Sequence, residues 1–136
     1  MQGRLPVLAS ALWWGSLSTT GFLVVPLLFA HLPSAAMAGS MAARLFAAQT
    51  WVSVVCGMLM LVFRPNRGQS IDGKAQAAIF LILSGLLLAL LGEFAVAPRI
   101  VARENLKLWH SVGSVMYLGQ WLCAGALLWR AARREP

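Results

Sequence analysis

Four long apolar stretches, separated by short polar or basic connectors, dominate the pattern of this 136-residue chain. They cover about residues 6–32, 42–63, 75–97 and 108–129. Each is long enough for a helix that crosses a hydrocarbon layer of ~30 Å, which takes ~20 residues. Uninterrupted apolar runs such as 79–83 exclude the alternating strands of a membrane β-barrel. The pattern predicts an all-α, polytopic membrane protein, a single domain over residues 1–136 with four transmembrane helices in a compact bundle.

Prolines and small residues mark the expected ends and bends of these helices. Pro6 suits the first turn of the first helix, and Pro26 is expected to kink that helix. Residues 31–40, rich in small residues, form the predicted first connector. The run Arg64-Pro65-Asn66-Arg67-Gly68 contains several breaker residues and should end the second helix. Pro98 is expected to end the third.

The composition supports a membrane location. The chain is 60% hydrophobic and 11% charged, whereas a soluble domain has ~25% charged residues, so its surface must face lipid. The net charge of +7 comes from cations at the ends of the apolar runs, without interleaved aromatic residues. We therefore predict no nucleic-acid partner. Cys56 and Cys123 lie in apolar stretches outside any CxxC motif and predict no disulfide framework.

The distribution of basic residues predicts the orientation. The side that carries both termini would hold seven cations: Arg4, Arg64, Arg67, Lys74, Arg130, Arg133 and Arg134. The other side would hold four: Arg44, Arg99, Arg103 and Lys107. Because basic residues accumulate on the cytoplasmic side, we expect cytoplasmic N- and C-termini in a bacterial inner (cytoplasmic) membrane.

Tryptophans and small residues suggest how the helices pack. Trp109 and Trp129 bracket the fourth stretch as interfacial anchors. The remaining tryptophans are expected between helices: Trp13, Trp14, Trp51 and Trp121. Small residues spaced four apart allow close helix approach, and they occur in two sets: Ala11, Gly15 and Thr19, and Gly85 and Ala89.

Three segments together resemble a known family. They are LWWGSLSTTGFLVVPLLFAHLP, LFAAQTWVSVV and EFAVAPRIVARENLKLWHSVGSVMY. They are similar to bacterial members of the transmembrane-protein-205-like family, a small four-helix membrane domain of unknown function. The motif positions that match are Pro98, Arg99, Arg103, His110 and Ser111, whereas His31 has no counterpart. The resemblance implies an integral membrane protein without an established activity.

Glu93 is the main candidate for a functional side chain, because it lies inside the third apolar stretch. A carboxylate at the bilayer centre costs ~2.5–3.5 kcal/mol, and less near an interface. An ion pair would offset this cost, with Arg44 or His110 as partners; Arg99, about 240° further round the helix, pairs poorly. We favour an ion pair that holds the bundle together, with a proton or cation relay as the alternative.

Two polar stripes are expected to face the bundle interior. One contains His110, Ser114, Tyr117 and Trp121; the other contains Gln49, Ser53, Cys56 and Met60. Polar groups in hydrocarbon seek partners, so a hydrogen-bonded core is the favoured interpretation. The alternative is a small cavity open to the outer face, with five lining residues: Gln49, Glu93, His110, Ser114 and Tyr117.

Metal or haem binding is a weaker hypothesis. His31 and His110 could serve as two axial haem ligands, and His31, Met37 and Met41 could bind copper. Ordinary packing and connector positions explain these residues better, so we predict no cofactor. Arg99, Arg103 and Lys107 would form one cationic edge for lipid phosphate if their connector is helical.

No catalytic signature was found: neither G-x-S-x-G, nor H-E-x-x-H, nor a nucleotide-binding loop occurs. We therefore favour a structural or accessory membrane protein with a polar outer mouth around Glu93 and His110. A small permease and a copper- or haem-handling protein are the alternatives. The expected partners are the lipid bilayer and a second membrane protein or another copy of the chain.

Overall fold

The computed structural model describes residues 3–64 and 70–133, and within them it contains four long helices. These are α1 (Leu5–His31), α2 (Ala35–Val62), α3 (Gly73–Val101) and α4 (Leu106–Ala132). Each is long and apolar enough to cross a membrane, which confirms the predicted all-α, four-span architecture. Arg67 and Arg134, which the charge count included, lie outside the described residues, as does the turn signal at 65–68.

The helices run alternately up and down and form a closed ring in the order α1, α2, α3, α4. The start of α1, the end of α2, the start of α3 and the end of α4 therefore share one side, named here the termini face. The opposite side, with the two short connectors, is the far face. Trp13 of α1 is completely buried in the middle, and its ring lies against Gly85 of α3. One aromatic side chain thus fills the axis of the bundle.

The second helix begins earlier than predicted. Ser34 caps it, because its hydroxyl accepts a hydrogen bond from the Met37 N–H at 3.2 Å. Most of the segment assigned to a connector, from Ala35 onward, is therefore helical. Small residues are compatible with a helix once a capping side chain satisfies its first free N–H groups. Asp72 caps α3 in the same way, with the Ala75 N–H at 2.8 Å.

Neither Pro26 nor Pro98 ends its helix, because α1 continues to His31 and α3 continues to Val101. The expectation that Pro98 closes the third helix is therefore wrong. A π-helical turn precedes each proline, Thr20–Val24 in α1 and Gly92–Val96 in α3. In these turns the backbone bonds reach one residue further along the chain. The wider turn accommodates the missing proline N–H, and the helix continues to its far-face end.

The two π-turns belong to an internal repeat. Each contains F-x-V-x-P: Phe22 to Pro26 in α1 and Phe94 to Pro98 in α3. The following helices share an aromatic residue three positions before a glutamine, Phe46 and Gln49 in α2, and Tyr117 and Gln120 in α4. Both glutamines are the fifteenth residue of their helix and both are buried. The hairpin α1–α2 and the hairpin α3–α4 are therefore two versions of one unit.

Glycines admit large side chains from neighbouring helices. A Cβ placed on Gly57 would meet Leu86 at 2.7 Å, and one on Gly125 would meet Trp14 at 2.9 Å. Small residues such as these glycines allow neighbouring membrane helices to approach closely. The bundle is thus held by bulky residues seated over glycines.

Two packing expectations are corrected. Gly85 and Ala89 are buried as predicted, but Ala11 and Thr19 are exposed and nothing lies within 4 Å of a Cβ placed on Gly15, so the set on α1 is not a close helix contact. Trp51 is 63% exposed and does not pack between helices. It follows the buried Gln49 by two positions, about 200° round the helix, which directs it away from the core.

Candidate functional site

The bundle interior contains a chain of hydrogen bonds centred on Gln49. Its amide Nε2 donates to the Ser16 Oγ at 2.9 Å, and its Oε1 accepts from the Thr20 hydroxyl at 3.2 Å. Gln120 of α4 donates through Nε2 to the Ser53 Oγ at 2.8 Å, and Ser53 donates to the Gln49 carbonyl at 3.0 Å. These bonds connect α1, α2 and α4. The favoured prediction for Gln49 and Ser53, a hydrogen-bonded core, matches their positions.

The polar residues of α4 divide between two environments. The Tyr117 hydroxyl donates to the Leu17 carbonyl at 2.7 Å, and the Trp121 indole N–H donates to the Ser18 Oγ at 2.8 Å. His110 and Ser114, by contrast, are exposed. The inward stripe of α4 therefore follows Tyr117, Gln120 and Ala124, rather than continuing to His110 as we expected.

Consequently, the five residues proposed to line one cavity are not brought together around one opening. Gln49 lies in the hydrogen-bonded interior, Tyr117 contacts α1, and the Ser114 hydroxyl bonds back to the His110 carbonyl at 2.9 Å. Glu93 alone lines an open groove. That groove is the candidate functional site.

The Glu93 groove lies between α2 and α3 and has a volume of about 410 Å³. Apart from the carboxylate its lining is small and apolar: Ala43, Ala97, Pro98, Val101 and Ala102. Among residues 3–64 and 70–133, Glu93 has neither a hydrogen-bond nor an ion-pair partner. The expected pair with Arg44, His110 or Arg99 is therefore not formed. The geometric reason is that Arg44 follows the lining residue Ala43 by one position, about 100° round α2.

The depth of the groove follows from the charges at the termini face. Lys74 lies at the start of α3 and Arg64 just beyond the end of α2, so the hydrocarbon begins near these residues. Spanning ~30 Å takes ~20 residues, which reaches Phe94 along α3 and Arg44 along α2. Both helices then extend about two more turns through the headgroup layer. From this count we expect Glu93 at the boundary between hydrocarbon and headgroups.

The far-face cations do not form the single cationic edge that we expected from a helical connector, namely Arg99, Arg103 and Lys107. The connector between α3 and α4 is not helical, and Arg103 and Asn105 adopt left-handed backbone angles, with φ of 56° and 37°. Arg99 lies over the Trp109 ring, 4.3 Å from its centre. This cation–π contact joins the far-face ends of α3 and α4, while Arg103 and Lys107 are exposed.

The candidate metal ligands all lie at exposed positions of the far face. His31 ends α1, and its Nδ1 lies 3.1 Å from the Leu27 carbonyl oxygen. Met37 and Met41 lie on the first turns of α2, where they line a second shallow groove with Arg44. Within the described part of the chain, no three His, Cys, Asp or Glu side chains form a metal-binding group. Copper and haem binding stay untested hypotheses.

Sequence reasoning missed Ser16 and the internal repeat. The signal was available, since F-x-V-x-P occurs in both odd-numbered helices and each is followed 22 or 23 residues later by glutamine. Aligning the two hairpins would have identified Gln120 as the counterpart of Gln49. The same alignment would have paired Glu93 with Gly21, the residue at the equivalent position of the first π-turn.

Comparisons with known proteins give a family but no activity. A family model described as a domain of unknown function (DUF4149) matches residues 8–108. No curated protein and no solved structure matches the chain. The matched region includes three of the helices and the Glu93 groove. The chain therefore belongs to the DUF4149 family, a domain of unknown function.

Proposed function

We propose that this protein is a non-catalytic accessory protein of the membrane that binds an amphipathic cation at the Glu93 groove. The observation that carries this proposal is the carboxylate itself. Within the described residues, Glu93 is the acidic side chain inside a membrane span, and it has no protein partner. A carboxylate costs less near the interface than at the bilayer centre, and a cationic partner offsets the cost that is left. A cationic group entering the groove would supply the compensation.

The interior supports binding rather than passage through the bundle. Trp13 and Leu17 are fully buried near the axis, and the buried amides of Gln49 and Gln120 are bonded to neighbouring hydroxyls. A permeation path needs polar groups that exchange partners with the substrate. Here those groups are engaged with one another, and the unpartnered carboxylate lies in a groove at the side of the bundle.

We further propose that the termini face is cytoplasmic and that the membrane is the bacterial inner membrane. Within the described residues, the termini face carries five cations against four on the far face. The positive-inside rule supports this orientation. The kinship with the transmembrane-protein-205-like family and the association with a membrane-protein partner or a second copy belong to the same proposal.

Protection of Glu93 from a hydrophobic carbodiimide tests the binding function. The purified protein in neutral detergent is labelled with and without dodecyldimethylammonium, a tertiary ammonium that a carbodiimide-activated carboxylate cannot convert to an amide, and the modified carboxylate is quantified by mass spectrometry. Bound ammonium should slow labelling of Glu93 but not of Glu104, which is exposed in the connector. Equal labelling with and without the cation would refute the proposal. Cation flux in proteoliposomes that Glu93→Gln abolishes would favour a permease, and a haem spectrum or bound copper would favour a cofactor-handling protein.

A further inference from the structure

The internal repeat identifies the Glu93 groove as the open counterpart of a closed interface. At the first π-turn, Tyr117 of α4 seats its ring over Gly21, where an added Cβ would lie 2.5 Å from Tyr117 Cε1. At the equivalent place of the second π-turn, glycine is replaced by Glu93, and the equivalent of Tyr117 is Phe46. The two aromatic rings contact each other edge to face, with centres 5.3 Å apart.

This substitution leaves the second interface without its closing contacts. The Tyr117 hydroxyl bonds the Leu17 carbonyl at the first π-turn, whereas Phe46 has no hydroxyl to offer Ala89, the counterpart of Leu17. Within the described residues, no side chain donates to the Ala89 carbonyl. The result is a groove of about 410 Å³ with a carboxylate in its wall.

We propose that this groove binds the headgroup of a phospholipid that carries a primary ammonium, the phosphoethanolamine class, with the ammonium on Glu93. This inference rests on the proposed cation-binding function and names its ligand. The groove lies at the boundary between hydrocarbon and headgroups, and it opens towards the lipid between α2 and α3. A bilayer lipid therefore reaches it without leaving its leaflet.

The lining chemistry selects this class among lipids. Sites for quaternary ammonium groups use aromatic cages, and the groove lining contains no aromatic ring among the described residues. A primary ammonium instead donates hydrogen bonds to a carboxylate, and charge-assisted bonds of this kind are strong. Anionic lipids without an ammonium would place like charges together at Glu93.

One cation at the rim of the groove suits the phosphate of the same lipid. Arg103 directly follows the lining residue Ala102 and is exposed at the far face. Ala102 lies nine residues beyond Glu93, towards the aqueous side. A zwitterionic headgroup would thus meet a carboxylate on the hydrocarbon side and a guanidinium group on the aqueous side, which matches the order of charges in the headgroup.

Native mass spectrometry of the purified protein in mild detergent tests the proposal, with added phosphatidylethanolamine, phosphatidylcholine or phosphatidylglycerol. The wild-type chain should retain phosphatidylethanolamine best, and Glu93→Gln should lower its affinity by at least about tenfold. Glu104→Gln, the matched control in the exposed connector, should bind like wild type. Ala102→Phe, which fills the rim of the groove and leaves Glu93 in place, should also reduce retention.

Three outcomes would overturn the assignment. They are unchanged phosphatidylethanolamine retention by both groove variants, equal retention of phosphatidylcholine by the wild type, or a co-purified polypeptide that blocks lipid retention and dissociates in Glu93→Gln. Protection of Glu93 by dodecyldimethylammonium without a lipid preference would refute the lipid and keep the cation-binding function. Loss of both would refute the two proposals together.

Discussion

Replacing Gly21 by alanine should destabilise the bundle although alanine is the better helix former. The new Cβ would lie 2.5 Å from Tyr117 Cε1 and 3.0 Å from Cζ, so the rigid ring must move. Overpacking of this kind typically costs about 1–3 kcal/mol. The displaced ring also loses the hydrogen bond from its hydroxyl to the Leu17 carbonyl, worth about 0.6 to 1.7 kcal/mol in a membrane helix bundle.

Alanine offsets part of this loss through its helix propensity, by about 1 kcal/mol. The expected net loss in the free energy of unfolding is therefore about 0.6 to 3.7 kcal/mol. Gly15→Ala is the matched control, because nothing lies within 4 Å of its added Cβ. Reversible unfolding in mixed micelles would measure both variants, and their difference cancels the propensity contribution. Equal stability of Gly21→Ala and Gly15→Ala would refute the packing argument.

Three other substitutions probe the interior and the helix ends. Trp13→Ala should cost about 3–5 kcal/mol, because a fully buried aromatic ring is removed, whereas Trp51→Ala, at a 63% exposed position, should be nearly neutral in micelle unfolding. Gln120→Leu should cost about 0.6 to 1.7 kcal/mol through the lost bond to Ser53; the same loss in a Ser53→Ala background would contradict it. Ser34→Ala should cost about 1 kcal/mol and speed amide exchange in the first turn of α2, and unchanged exchange at Met37 would argue against the cap.

Hydrophobic length was sufficient to predict the four helices, because a membrane span needs little beyond ~20 apolar residues. Their ends were less predictable, since they depend on single interactions. Ser34 extends α2 by capping it, and the π-turn of Gly92–Val96 carries α3 past Pro98. Neither a cap nor a π-turn alters the hydrophobic pattern that defines a span.

The central residue of the candidate site could be named from the sequence, but the residues that face it could not. Glu93 was identifiable because a carboxylate in an apolar run is rare. Its partners were not, because the rotation of each helix about its axis decides which residues face one another. In this membrane bundle both faces of a helix are apolar, so sequence periodicity left that rotation undetermined for α4 and placed His110 and Ser114 on the wrong side.

The repeated hairpin has a consequence for stoichiometry. Two identical hairpins related by a twofold axis would form two equal interfaces, each with the same residue at the π-turn. In this chain the two hairpins differ at that position, so that glycine and tyrosine close one interface while glutamate lines a groove at the other. The proposed ligand site would therefore occur once per chain, on one flank, where a symmetric dimer of hairpins would carry two or none.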